Sequence, residues 1–266
     1  MYFSRSGPGF DYDQAPTIIL SAYSFNGECW EVEPGVRLAP HGSHANIRVV
    51  CPDVIPLEGG GYRMYFEGQP SDGPAVILSA ISSDGLSWKP EPGIRFGDEV
   101  RRYGSPRALY IEVDSSGTGG IRLYFHSYAH PFRGGLDVGN NIVSAISEDG
   151  LSFVLEPGAR INQVGKFQDL AVYAPEVLLL GDGTYRMYYA GWSIEPRRGR
   201  IFSAISMDGL AWLRDPEPII EFGGLFDATK CSEPCIMRLP DGRYRMFYEA
   251  CDALGIWRIL SCTSRP

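Results

Sequence analysis

Four prolines each open a short apolar run: 52-PDVIPL-57, 106-PRALYI-111, 175-PEVLLL-180 and 234-PCIMRL-239. Charged residues gather around those prolines. The residue before the proline is Cys51, Ser105, Ala174 or Glu233, and the residue after it is Asp53, Arg107, Glu176 or Cys235. Two positions before stand Val50, Gly104, Tyr173 and Ser232; four before stand Arg48, Arg102, Ala171 and Lys230. A second variable column, Ser4, Glu67, His126, Ala190 and Glu249, closes another repeated run. Carboxylates in such columns suit general acid–base chemistry, in which one group gives a proton and another takes one. The two need different environments, because the acid requires a raised pKa. Arg48, Arg102, Arg107 and Lys230 suit a carboxylate or phosphate on a ligand. The plainer alternative is internal pairing with Asp53, Glu176 and Glu233, which lowers the carboxylate pKa values and makes poor proton donors. His126, close to Tyr128 and His130, is a candidate acid–base group or metal ligand, or simply a solvated loop histidine. Asp169 and Asp227 precede their proline runs by similar intervals, in 167-FQDLAVYAP-175 and 226-FDATKCSEP-234. They either line the mouth of a site or cap loops.

The elements that hold these columns are repeats. The stretches 21-SAYSFNGECW-30, 79-SAISSDGLSW-88, 144-SAISEDGLSF-153 and 203-SAISMDGLAW-212 are copies of one motif. Their opening serines lie 58, 65 and 59 residues apart, and 259-ILSCTS-264 begins a fifth copy at the same interval. Upstream of the later copies lie 62-YRMYFEG-68, 121-IRLYFHS-127, 185-YRMYYAG-191 and 244-YRMFYEA-250, short and aromatic-rich as half-buried strands are. The proline runs precede these, and Gly-rich or Asp-Gly turns separate the two. After each SAIS run comes a strand such as 88-WKPEPGIRF-96. Each unit therefore reads as four antiparallel strands: A (the proline run), B (YRMY), C (SAIS) and D (WxxEPG). Four-strand units repeating about every 60 residues predict a β-propeller. Counting C strands predicts five blades, the first without strand A and the last without strand D; a four-bladed ring is the alternative. The open position suits a partner subunit, and so a homo-oligomer.

The Asp84-Gly85 and Asn26-Gly27 pairs predict tight type I′ hairpins. Trp30, Trp88, Phe153 and Trp212 are expected to plug the next strand against the neighbouring blade. One site needs different groups in different roles, so a motif copied four times is framework. Function belongs where the copies disagree.

The chain has 266 residues, enough for one large all-β domain, and the expected organisation is a single propeller domain over 1–266. The formal net charge of −8 argues against nucleic acid or an anionic membrane as partner. No apolar run is long enough to span a bilayer. No secretory signal is recognisable at MYFSRSGPGF, so the expected location is cytoplasmic. The six cysteines then read as mostly reduced and buried. No metal site and no organic cofactor is expected: Cys231 and Cys235 lack the partners of a zinc pattern, and nucleotide-binding loops are absent.

The S-x-D-G-x-x-W hairpins, proline-led A strands and aromatic B strands together resemble the five-bladed propellers of the furanosidase superfamily. These are similar to glycoside hydrolase family 43 and more distantly to the mannoside phosphorylases of family 130. The resemblance covers nearly the whole chain and is carried by framework residues. It implies a site in an axial funnel at the starts of the A strands. It also implies three carboxylates: a base from the first blade, an orienting Asp from the third and a Glu acid from the fourth, with space for water between acid and base. The chain departs from that pattern. The first A strand is missing, the third-blade position reads Ser105-Pro106, and the fourth reads Tyr173-Ala174-Pro175.

The expectation is a glycosidase-like enzyme acting on a glycoside or related small polyol. Glu233 is the expected acid, Asp53 the base and Glu176 the orienting carboxylate. Arg48, Arg107, Tyr173, His126, Glu67, Asp169 and Asp227 are the expected substrate contacts. Two alternatives keep the propeller. One is a repurposed cyclase, isomerase or lyase for a small, anionic metabolite; the other is a carbohydrate-binding propeller without catalysis.

Overall fold

Among the described residues of the computed structural model, every regular element is a strand. The structure describes residues 1–6, 16–111, 120–130, 139–165 and 167–264. In chain order the strands are β1 (Tyr2–Ser6), β2 (Thr17–Tyr23), β3 (Glu31–Val32), β4 (Arg48–Pro56), β5 (Tyr62–Gln69) and β6 (Val76–Ser82). Then come β7 (Lys89–Pro90), β8 (Arg101–Ile111), β9 (Gly120–Ala129), β10 (Asn141–Ser147), β11 (Val154–Leu155) and β12 (Ala171–Leu179). The last are β13 (Tyr185–Trp192), β14 (Gly199–Ser206), β15 (Leu213–Arg214), β16 (Lys230–Arg238), β17 (Tyr244–Cys251) and β18 (Trp257–Thr263). The order is B–C–D, then A–B–C–D three times, then A–B–C, which follows the repeat strand for strand.

The described strands form three sheets. One runs β1-β2-β4-β5-β6-β7 with β3 on β2, one runs β11-β10-β9-β8, and one runs β12-β13-β14-β16-β17-β18 with β15 on β14. Within a repeat the pairing is antiparallel. Single parallel bridges, Thr17 to Arg48 and Gly199 to Lys230, stitch a C strand to the next A strand. The chain packs as two compact units: residues 1–123 with 145–155, and residues 124–144 with 156–266.

The inner A strands share one distortion. Cys51, Ser105, Ala174 and Glu233, each directly before its proline, have φ of 52°, 47°, 51° and 50°. This is the left-handed region, costly for any residue with a Cβ. In β4, β12 and β16 the pairing with the B strand slips at this point, between Val50 and Asp53, Tyr173 and Glu176, and Ser232 and Cys235. The cause is local. Proline has no N–H to give the ladder, so a bulge placed on it forfeits no hydrogen bond. The bulge then re-aims the residues on either side of it.

The S-x-D-G-x-x-W stretch is a latch. Asp84 Oδ1 accepts the amides of Leu86 and Ser87 at 2.8 and 2.7 Å, and Ser82 Oγ accepts that of Gly85 at 2.9 Å. Gly85 alone of the central pair is left-handed, at φ 74°. The expected two-residue type I′ turn is therefore absent. An Asx turn replaces it, because the side chain, rather than a tight backbone, satisfies the amides. Asn26, Asp149 and Asp208 repeat the arrangement.

The glycine carbonyl receives the neighbouring repeat. Tyr2 Oη donates to Gly85 O at 2.9 Å, and Tyr65 Oη donates to Gly150 O at 2.8 Å. In the second unit Tyr124 Oη donates to Gly209 O at 3.0 Å. Each tyrosine also meets the turn aromatic edge to face: Tyr2 with Trp88, Tyr65 with Phe153, and Tyr124 with Trp212. The acid of each EPG stretch is used as well, since Ser21, Ser79 and Ser144 donate to Glu33, Glu91 and Glu156. The six cysteines are thiols, not joined in disulfides; Cys231 and Cys251 are buried, whereas Cys29 and Cys235 are exposed.

Candidate functional site

Of the residues after the prolines, Asp53, Arg107 and Glu176 brace the A strands. Asp53 Oδ1 receives Arg107 Nη1 at 2.6 Å, and its Oδ2 receives the amide of Ala108 at 2.7 Å. In the second unit Glu176 Oε1 receives the amide of Ile236 at 2.9 Å. Ala108 and Ile236 both lie two residues after their prolines, so the two bonds are one interaction repeated. The expected base and orienting carboxylate thus each hold the next inner strand. Asp53 and its arginine also realise the internal pairing weighed from the sequence.

The first unit gathers Arg48, Glu67, Arg102 and Ser105 at the start of β4 and β8 and the end of β5. Glu67 is fully enclosed, and burial pushes its carboxyl pKa up. Arg102, Arg48 and the Ser105 amide oppose the shift without cancelling it. The approach of the first is loose: Arg102 Nη2 lies 4.0 Å from Glu67 Oε1. Arg48, itself buried, donates from Nε to Thr17 Oγ1 at 3.2 Å. A buried carboxyl dominated by desolvation favours its protonated form.

The second unit carries the richer constellation. β16 and β17 pair so that Ser232 faces Glu249 and Lys230 faces Cys251. Glu249 Oε2 accepts from Ser232 Oγ at 2.8 Å and from Lys230 Nζ at 3.2 Å. The Lys230 ammonium is boxed by aromatic faces: Trp257 at 4.5 Å, Tyr173 at 5.7 Å and Trp192 at 5.7 Å to the ring centroids. Cations favour such faces, most of all when desolvated. Arg197 covers Trp192 as well, at 5.2 Å. Glu233 is half-buried on the β16 bulge. Its charge and that of Glu249 both act on the Tyr173 phenol. Burial pushes that phenol up to about 12, with Lys230 opposing and the two carboxylates adding. Ser232 lies close to the Tyr173 hydroxyl but spends its proton on Glu249, and the Tyr173 hydroxyl has no hydrogen-bond partner among the described residues. The indole N–H of Trp192 is also buried and without an acceptor among them.

His126 is buried and stacks on Tyr128 with centroids 4.4 Å apart, while meeting Tyr173 edge-on at 6.5 Å. It therefore belongs to the wall behind Tyr173 rather than to a solvated loop. His130 is exposed. Asp169 accepts the amide of Ile194 at 3.0 Å. Asp227 accepts the amide of Gly224 at 2.7 Å and the Tyr248 hydroxyl at 3.2 Å. Both aspartates tie loops together. Among the described residues no cluster of His, Cys, Asp and Glu has the makings of a metal centre.

Glu233, Tyr173, Glu249 and Lys230 thus come together in one unit. Trp192 and Trp257 complete the group and escaped the reading of the sequence. The signal lay at the strand ends: Trp192 closes a B strand where the other repeats have Gln69, Tyr128 and Cys251, and Trp257 opens a C strand where they have Thr17, Ala75, Asn140 and Gly199.

No protein-family model and no curated protein matches the chain. Solved structures do. An endo-arabinase from Bacteroides thetaiotaomicron is 14% identical with a TM-score of 0.69, over 100% of this chain and 90% of that one. A thermostable family-43 glycoside hydrolase is 16% identical with a TM-score of 0.73, over 99% and 94%. A structure from family 130, the mannoside phosphorylases with hydrolases that target β-1,2-mannosidic linkages in Candida mannan, is 14% identical. Its TM-score is 0.76, over 100% of this chain and 80% of that one. At these identities the likeness speaks for the fold, and it extends over essentially the full chain: the chain has the β-propeller fold seen in these family-43 and family-130 structures.

Proposed function

We propose that the chain is a carbohydrate-active enzyme of the glycosidase kind, acting on a glycoside with Glu233 as proton donor. One observation carries this. Four residues directly before the inner-strand prolines are held in the left-handed conformation, and of Cys51, Ser105, Ala174 and Glu233 only the last can donate and accept protons as a carboxyl. Strained backbone of this kind persists where the surroundings enforce it, and functional sites are where it collects. Glu233 has the company such chemistry uses: a buried phenol at Tyr173, a second carboxylate at Glu249 and tryptophan faces for a sugar ring. The fold supports the same class of substrate, since the solved structures of this fold include an endo-arabinase and a protein in an RGII complex.

The test is a panel of aryl furanosides and pyranosides, run with the wild-type chain and with Glu233→Gln. Turnover of one of them that falls by about a hundredfold or more in a folded variant supports the assignment. Near-normal activity in the variant removes Glu233 from the role.

A second reading has an observation of its own. Asp53 and Glu176 both hold an amide of the next inner strand, and Asp53 also holds Arg107. Carboxylates so engaged suit positioning better than proton transfer. A wild-type chain inert on every glycoside of the panel would favour a repurposed lyase or isomerase on the same scaffold.

A further inference from the structure

Four copies of the repeat close their outer edge in the same way. The isoleucine two residues before the SAIS serine donates its amide to the segment that follows the turn: Ile19 to the Leu38 carbonyl at 2.8 Å, Ile77 to Phe96 at 2.8 Å, Ile142 to Ile161 at 2.9 Å and Ile201 to Ile220 at 3.1 Å. The serine carbonyl accepts an amide of the same segment, from Glu33, Glu91, Glu156 or Asp215, at 2.9 Å in each copy. The serine hydroxyl donates to the carboxylate of that acid, at 2.5 to 2.7 Å. From the acid to the apolar partner the interval is five residues every time.

The fifth copy lies on β18, with Ile259 and Ser261 in those two places. Among the described residues β18 pairs with β17 and with no other strand. Ile19, Ile77, Ile142 and Ile201 are fully buried, whereas Ile259 is 49% exposed. Ser21, Ser79, Ser144 and Ser203 are buried too, and Ser261 is exposed. The backbone is presented as well. Opposite residues of an antiparallel pair alternate between hydrogen-bonded and not. Ser264 donates its amide to the Tyr244 carbonyl at 2.8 Å, next to the Arg245–Thr263 pair. The alternation then gives the amides of Leu260 and Cys262 to β17 and turns those of Ile259 and Ser261 outward. An edge with outward amides beside an exposed apolar side chain is a template for another strand.

Charge says what kind of strand. On the B strands, Arg63 pairs with Glu91 at 2.9 Å and Arg186 with Asp215 at 2.6 Å, the same acids that the serines hold. Arg245 is their counterpart on β17 and donates from Nε to Thr263 Oγ1 at 3.2 Å. A guanidinium carries five donors, so a carboxylate arriving beside Ser261 also meets this cation. A second copy of the chain is a poor source of such a segment, since its own four are already paired within their repeats.

We propose that the outer edge of β18 docks an extended segment of a different protein, one with a carboxylate for Ser261 and Arg245 and, five positions on, an apolar residue for Ile259. This interaction surface is independent of the glycosidase reading and holds whether or not Glu233 is catalytic.

The probe is a fluorescein-labelled peptide that copies residues 88–96, WKPEPGIRF, titrated with the full chain and followed by anisotropy. Saturable binding is expected, weakened about tenfold when the glutamate of the peptide is made glutamine or its phenylalanine alanine. Ser261→Ala in the chain should weaken it by about the same factor. Ile259→Pro should abolish it. The amide that proline removes points away from β17, so the ladder inside the sheet keeps its bonds. Thermal unfolding checks that both variants are folded.

No binding of the peptide overturns the proposal. So does equal binding of a scrambled peptide, or binding that neither Ser261→Ala nor Ile259→Pro changes. A dimer in sedimentation velocity that Ile259→Pro dissolves into monomers also overturns it, because a second copy then holds the edge.

Discussion

Asp53 and Arg107 stand at the same position of successive inner strands, one residue after the proline, and join in an ion pair of 2.6 Å. Asp53 is buried and Arg107 is about a quarter exposed, at 24% of its side chain. The pair is thus shielded on one side only. Its value lies less in the attraction than in what is left when one member goes. Asp53→Ala should destabilise the chain by about 2–3 kcal/mol, because it strands both the guanidinium and the Ala108 amide. Asp53→Leu with Arg107→Met should recover most of that loss. Urea titration of the two variants distinguishes a strut from a decoration; a single-variant cost near zero means the strand contact is held by other groups.

The repeated turns predict how the chain meets acid. Amides of Ser87 and Leu86 hold the Asp84 carboxyl down to about 2, and Asp149 is held down to about 2 by Ser152 and Leu151. A depressed folded pKa contributes stability that is present above the ordinary value near 3.8 and is lost as pH falls through the folded value. Acid unfolding should therefore steepen between about pH 4 and pH 2. Asp84→Asn with Asp149→Asn keeps the accepting oxygen, as Asn26 already does in the first copy. That variant should match the wild type near neutrality and lose part of the acid dependence. Melting temperature followed down the pH scale is the measurement.

Glu67 predicts the opposite slope. Its carboxyl is raised by burial, so its contribution is fully present below the ordinary value of 4.5 and is lost as pH climbs through the raised one. Glu67→Gln removes the titration. Relative to the wild type the variant should grow more stable as pH rises above the ordinary value of 4.5. A difference in melting temperature that does not change with pH would show that Arg102 and Arg48 fully compensate the charge.

Ala174 predicts a gain. Its φ of 51° is one that glycine adopts freely. Ala174→Gly should raise stability by roughly 0.5–1 kcal/mol, and Ala174→Val, with a branched Cβ in the same backbone, should lower it by more. Differential scanning calorimetry on the pair settles the sign. A loss in the glycine variant would mean that the methyl packed against Tyr173 and Ala190 outweighs the backbone term.

The strands were legible and the bulges were not. Alternation in YRMY and SAIS, proline-led runs and regular spacing locate β4, β5 and β6 and their copies, because these signals report burial on two faces. The turn after β6 misled, since Asp-Gly reads as a type I′ pair. The serine two residues earlier, whose oxygen takes the Gly85 amide, is what marks an Asx turn instead. Left-handed Cys51, Ser105, Ala174 and Glu233 run against local preference, which sends a residue before proline to extended backbone. Only the surrounding sheet imposes that conformation. The variable columns did point to Tyr173, Glu233, Glu67 and the cations. They missed Trp192 and Trp257, because an aromatic at a strand end looks like packing until a lysine is seen beneath it.

The shared kink before each inner proline separates scaffold from chemistry. Its geometry is the same whether the residue is a thiol, a hydroxyl, a methyl or a carboxyl, so the backbone does not depend on which side chain it presents. The latch between repeats is equally indifferent, because its acceptor is a main-chain carbonyl. Four mounting points can then be refitted one codon at a time, each on a support that has already been stabilised elsewhere. A chain built this way can change what its inner strands present without changing its architecture, and Cys51, Ser105, Ala174 and Glu233 are four such side chains on one backbone conformation.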